Sequence, residues 1–109
     1  MYCLNKANLV KDGYYLKVIV MKNNISDSFL IRASSENPKE NIKEMLSELR
    51  EIKKNENDLE LLLDTLCGSK FFKNIWEFDN NNEPCKLLGY MIYCYKDGIG
   101  YKLNKIWKE

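Results

Sequence analysis

The spacing of apolar positions changes twice along this chain, dividing it into strands, then helices, then strands again. Aromatic and β-branched residues crowd Tyr14 to Lys22, and Ser28 to Ala33 forms a shorter apolar run, as half-buried strands require. Asp12-Gly13 can take the positive φ values of a two-residue type I′ turn, which would pair a strand over Cys3 to Val10 against the Tyr14 strand. Asn23-Asn24 offers the next tight turn. Leu16 then falls opposite Ile31 and Val18 opposite Phe29, while Tyr15 faces Arg32 and Lys17 faces Leu30 on the reverse side. A looser loop through Asn23 to Asp27 would shift these pairs.

From Asn37 the period becomes helical. Ile42, Met45, Leu46, Leu49 and Ile52 follow the i, i+3, i+4, i+7 spacing that lines one side of a helix. Asn37 is placed to supply a capping oxygen, Pro38 suits the first helical position, and Glu40 lies three residues after the cap. A second helix is expected from Asn57 or Asp58, with Leu59, Leu62, Leu63 and Leu66 on its apolar side and Gly68 at its end. Leu61 falls off that stripe. The polar link Lys53 to Asn57 is short enough for an antiparallel pair whose stripes bury against one sheet.

Lys70 to Phe78 reads two ways. Phe71, Phe72, Ile75 and Trp76 fit a short helix, the preferred reading, while Ile75 to Phe78 would also suit the start of a strand. Asp79 to Pro84 is a loop on either reading. The last quarter is a hairpin, Leu88 to Tyr95 and Ile99 to Trp107 around Asp97-Gly98. Its register sets Cys94 opposite Tyr101, Ile92 opposite Leu103 and Leu88 opposite Trp107 on the core side. Tyr93 faces Lys102 and Met91 faces Asn104 on the other. The expected fold is α+β: an antiparallel sheet from the N- and C-terminal hairpins, covered on one face by two, or with Lys70 to Phe78 three, central helices.

Composition narrows the picture. A chain of 109 residues, 45% hydrophobic and 30% charged, has the size and make-up of a single domain over 1–109 with its own core. No apolar run approaches the roughly 18–20 residues of a membrane span, and no secretion signal precedes the first strand, so a soluble, cytoplasmic protein is expected, with no membrane partner. Cys3, Cys67, Cys85 and Cys94 then read as free thiols, Cys94 as a small inward hydrophobe and Cys85 as an exposed, reactive candidate. Abundant Asn, Lys, Ile and Tyr, with no Gln, suggest an A+T-rich genome such as that of a low-GC bacterium or its phage.

The chain contains no histidine, which removes the commonest general acid–base group at neutral pH and the commonest metal ligand. Its five glycines match neither the Walker nor the dinucleotide spacing, and no two cysteines lie close enough to form half of a zinc site. No catalytic residue, metal or cofactor is therefore assigned, and the expectation is a protein that is not an enzyme.

Charge is segregated along the chain. Residues 1–33 hold five basic and two acidic side chains, residues 34–64 five and nine, and residues 86–109 five and two, so the sheet is basic and the helices acidic. The outer sheet face would gather Tyr15, Lys17, Arg32, Met91, Tyr93, Tyr95 and Lys102, residue types enriched at interfaces. Glu40, Glu44, Glu48 and Glu51 would form an acidic helix patch, interrupted in sequence by Lys39, Lys43, Arg50, Lys53 and Lys54.

The leading expectation is a protein-binding module, in the form of a small phage or mobile-element inhibitor of a host defence protein. A nucleic-acid-binding domain using the basic, tyrosine-rich sheet face is the alternative, followed by a small-molecule-binding domain. A homodimer, or the Lys70 to Phe78 segment, would be other ways to cover that face.

Overall fold

The computed structural model describes residues 10–103. Two hairpins and two helices follow in the order β1 (Gly13–Lys22), β2 (Ile25–Arg32), α1 (Pro38–Lys54), α2 (Leu59–Cys67), β3 (Lys86–Lys96) and β4 (Ile99–Leu103). The strands form one antiparallel sheet in the order β2-β1-β3-β4, so each hairpin contributes one central and one edge strand. The helices cover one face. This is the α+β arrangement that the change of period implies.

Turn chemistry fixes both hairpins. Asn23 and Asn24 have φ of 53° and 63°, and Asp97 and Gly98 have 54° and 81°, as type I′ turns demand. With those turns in place Leu16 pairs with Ile31, Val18 with Phe29 and Tyr15 with Arg32, while Ile92 pairs with Leu103 and Tyr93 with Lys102, as the sequence predicts. Asp12-Gly13 behaves differently. Gly13, at φ 146°, opens β1 itself, and Asp12 is not among the positive-φ residues, so no type I′ turn forms there. Both edges of β1 are taken, by β2 and β3. The expected strand over Cys3 to Val10 falls outside the described residues except at Val10, as do Asn104 and Trp107.

Hydrophobic periodicity carries α1 as expected. Ile42, Met45, Leu46, Leu49 and Ile52 are all buried, each contributing about 1.5–3 kcal/mol by leaving water. Asn37, however, makes no side-chain capping bond. The neighbouring Asn41 carboxamide oxygen instead accepts from the Ser34 amide at 2.8 Å and so ties down the chain entering the helix. In α2 the cap forms, Asp58 accepting from the Leu61 amide, but only Leu62 and Leu66 are buried. Leu59, Leu61 and Leu63 face solvent, because this short helix packs mainly on α1 and has a single side to bury. Gly68 ends it in an ordinary right-handed conformation.

Lys70 to Phe78 is neither helix nor strand. It is a single turn, closed by the Trp76 amide donating to the Phe72 carbonyl at 3.1 Å, with an isolated bridge from Phe78 to Pro84. Phe72 and Trp76 are buried under it, and Trp76 meets Phe29 of β2 edge to face, with ring centroids 6.3 Å apart. The segment therefore seals the helix side of the sheet, and among the described residues nothing covers the other face. Lys22 pairs with Glu77, and the Asn23 carboxamide accepts from the Asn80 amide, fastening the Asp79 to Pro84 loop to the first turn.

One strand departs from simple alternation. Between Ile19 and Val20 the β1–β3 register shifts: Ile19 pairs with Gly89 but Val20 pairs with Leu87, leaving Leu88 as the extra residue of a β-bulge. Leu87 consequently enters the core and Leu88 is exposed, the reverse of the expectation from the hairpin alone. Tyr101 lies on the helix side but at the sheet edge beyond the cover of α1, and it too is exposed.

Candidate interaction surface

The uncovered sheet face brings together all seven side chains singled out from the sequence. One row crosses all four strands as Arg32, Tyr15, Tyr93 and Lys102, and beside it run Leu30, Lys17 and Met91. A third row sets Tyr95 between Gly13 and Gly100. Among the strand residues the sole acidic side chain is Asp27, which pairs with Val20 and so belongs to the helix side. Lys17, Arg32 and Lys102 thus share the open face with no strand carboxylate.

The rings on this face are packed against one another. Tyr15 and Tyr95 meet edge to face with centroids 5.2 Å apart, Tyr93 and Tyr95 lie 6.0 Å apart, and the Lys17 ammonium stands 5.5 Å from the centre of the Tyr93 ring. The two glycines make room. A Cβ at Gly100 would come within 2.8 Å of the Tyr95 ring, and one at Gly13 within 3.1 Å of the Arg32 guanidinium, which donates to the Asp12 carbonyl at 2.6 Å. At the same corner the Asp12 carboxylate accepts from the Asp97 amide at 3.0 Å, joining the turn of the second hairpin to the start of β1.

This packing corrects the expectation for Tyr15. Only 7% exposed, with its hydroxyl donating to the Lys11 carbonyl at 2.9 Å, it is a support for the face and not an open stacking ring. Tyr93, Tyr95, Met91 and Lys17 are half-buried, while Arg32 and Lys102 are exposed.

The acidic helix patch is also altered. Glu48 accepts from the Ser69 hydroxyl and from the amides of Lys70 (2.9 Å) and Phe71 (3.2 Å), and Glu44 pairs with Lys70 at 3.4 Å. Two of its four carboxylates therefore hold the turn that carries Phe72 and Trp76, leaving Glu40 and Glu51 on the outside of α1.

The lysines and the arginine do not interrupt the acids in space. At about 100° per residue, Glu40, Glu44, Glu48 and Glu51 fall together on the outer side of α1, with Glu44 and Glu48 reaching the Ser69–Phe71 turn, and Lys39, Lys43, Arg50, Lys53 and Lys54 fall on the adjoining side. That basic side borders a groove of about 160 Å³ between α1 and β3, lined by Leu46, Leu49, Arg50, Lys53, Leu87 and Tyr90. Lys53 donates to the Leu87 carbonyl, and Glu56 both accepts from the Leu87 amide and pairs with Lys53. The groove was not foreseen from sequence. A helical projection of the charges would have shown its basic wall, but Leu87 and Tyr90 reach it through the bulge.

Cys85, expected to be exposed, is 2% exposed, and burial pushes its thiol up from 9.0 to about 11. Cys67 is exposed and Cys94 half-buried; these three thiols are free. Among the described residues no three His, Cys, Asp or Glu side chains gather in a way that could hold a metal, and no helix is long and apolar enough to cross a membrane. No protein-family model, curated protein or solved structure matches this chain.

Proposed function

We propose that this chain is a non-enzymatic module that binds a protein partner through the open face of its sheet. The observation that carries this reading is the pre-packed layer of Tyr93, Tyr95 and Met91, bordered by Lys17, Arg32 and Lys102. Rings already held by their neighbours lose little freedom on docking, and Tyr, Met and Arg are favoured where proteins meet. The partner surface would be apolar at its centre and acidic at its rim. Stoichiometric action as a small inhibitor of a host protein suits a chain without histidine whose composition points to a low-GC bacterium or its phage.

A second reading has its own support. Three cations without a strand carboxylate, one of them over a tyrosine ring, also suit a single-stranded nucleic acid. Affinity capture with the tagged chain, with and without nuclease and across a salt series, separates the two. A stoichiometric protein band that survives nuclease and is lost with Tyr93→Ala and Tyr95→Ala supports the protein reading. Recovery of nucleic acid alone, weakening steeply with salt and abolished by Lys102→Glu with Arg32→Glu, would replace it.

A further inference from the structure

On the helix side of the sheet, α2 carries apolar surface that the fold does not use. At about 100° per residue Leu62 and Leu66 take the buried side, and Leu59, Leu63 and Cys67, each four residues after the last, form a stripe next to them. Leu59 is 52% exposed, Leu63 is 45% exposed and Cys67 is exposed with them, so among the described residues no element covers the stripe. The acids beside it are free. Glu60 and Asp64 each follow a leucine of the stripe by one residue and border it on the solvent side; both are exposed, and among the described residues neither carboxylate has a hydrogen-bond or ion-pair partner. The helix itself has no lysine or arginine. At its Leu59 end the stripe opens onto a hollow of about 260 Å³, whose lining includes Glu83, Glu56 and Lys86. Glu56 is committed to Lys53 and the Leu87 amide, and Lys86 donates to the Asn57 carboxamide at 3.5 Å, whereas the exposed Glu83 carboxylate has no partner among the described residues.

We infer that this stripe is a docking site for a basic amphipathic helix of a partner protein, which sets apolar side chains one turn apart against Leu59, Leu63 and Cys67 and its lysines or arginines against Glu60 and Asp64, with Glu83 at the Leu59 end. Charge decides the occupant. Three unpaired carboxylates, with a single lysine already bonded nearby, draw a basic segment and repel an acidic one. The same charges repel a polynucleotide or an anionic membrane surface. Spacing decides the shape, because side chains at i, i+4 and i+8 make the kind of ridge that a second helix packs against along its length. The site is independent of the open sheet face, since Tyr93 and Tyr95 lie on the other side of the sheet.

Amide spectra of the whole ¹⁵N-labelled chain, titrated with a synthetic helical peptide carrying Leu at four-residue spacing flanked by Lys and Arg, test it. The amides of Leu59, Leu63 and Cys67 should shift together and saturate, and at saturation Cys67 should react with a thiol reagent roughly fivefold more slowly or less. Glu60→Lys with Asp64→Lys, at exposed helix positions, should weaken binding by roughly tenfold or more while the amides of β2 stay in place to report an intact fold. Leu63→Ser should weaken binding as well, and Tyr93→Ala should leave it unchanged, separating this site from the sheet face. The inference is overturned if those three amides do not move at millimolar peptide, if a peptide with Glu in place of its cations binds equally well, or if Cys67 stays as reactive at saturation. It is overturned too if the same amides move with the chain's own concentration before peptide is added, which would make a second copy the occupant.

Discussion

The Tyr95 ring lies across Gly100 of the neighbouring strand, close enough that a Cβ there would sit 2.8 Å from the ring. Gly100 has no unusual backbone requirement, so glycine is needed there for space alone. Gly100→Ala should therefore displace Tyr95 and cost about 1–3 kcal/mol in urea unfolding. In a Tyr95→Leu background the same change should cost clearly less, with only the Tyr93 ring, 3.1 Å from the same Cβ, left to give way. Equal costs in both backgrounds would mean that the ring does not occupy that place.

Such a contact is invisible in the sequence, where Tyr95 and Gly100 flank a turn like any other. What could be read was what neighbouring residues decide together. Asn23-Asn24 and Asp97-Gly98 each select a turn with positive φ at both positions, and each turn sets the register of a whole hairpin. The buried side of α1 follows from its period, and the seven residues expected on one sheet face share it because alternation and register together put them there. Pairing of β1 with β3 could not be read, because no turn joins them and the intervening helices leave the order of strands open. The separation of charge around α1 was legible only by projecting the residues onto a helix. Counting along the chain mixes Lys43 with Glu44 and Arg50 with Glu51, although the turn of the helix sends them to different sides.

The bulge near Leu88 gives a direct test of which leucine the core uses. Leu87 is 8% exposed and Leu88 is 52% exposed, although uninterrupted alternation from Ile92 would bury Leu88. Leu87→Ala should cost about 2–5 kcal/mol and Leu88→Ala no more than about 0.5, read from the midpoints of chemical unfolding. The reverse order would remove the bulge and restore the simple register.

Glu48 should behave as a structural acid. Its carboxylate receives the Ser69 hydroxyl and the amides of Lys70 and Phe71, and these bonds hold the turn whose Phe72 and Trp76 close the core against Phe29. Glu48→Ala should destabilise by about 2–3 kcal/mol and raise the exposure of Trp76, seen as a red shift of tryptophan fluorescence. Glu40→Ala and Glu51→Ala, on the outside of the same helix, should change stability by no more than about 0.5 kcal/mol.

Cys85 ties stability to alkaline pH. The Cys85 thiol is buried where the Asp79 to Pro84 loop leads into β3, its amide donates to the Glu77 carbonyl at 3.1 Å, and desolvation of the thiolate is the main cause that lifts its pKa from 9.0 to about 11. Between those values the folded chain holds a proton that the unfolded chain has released, so unfolding is favoured by rising pH. The stability that the neutral thiol contributes is complete below about pH 9 and is lost as pH climbs toward 11. Chemical unfolding of wild type and Cys85→Ala across that window should show the wild type losing stability more steeply. At pH 8 the exposed Cys67 should react quickly with a thiol reagent while Cys85 reacts only when the chain opens, and the identity of the labelled cysteine is read by peptide mass mapping. Rapid labelling of Cys85 in the folded protein would mean that the Asp79 to Pro84 loop opens without the rest of the fold, and the pH dependence should then disappear with it.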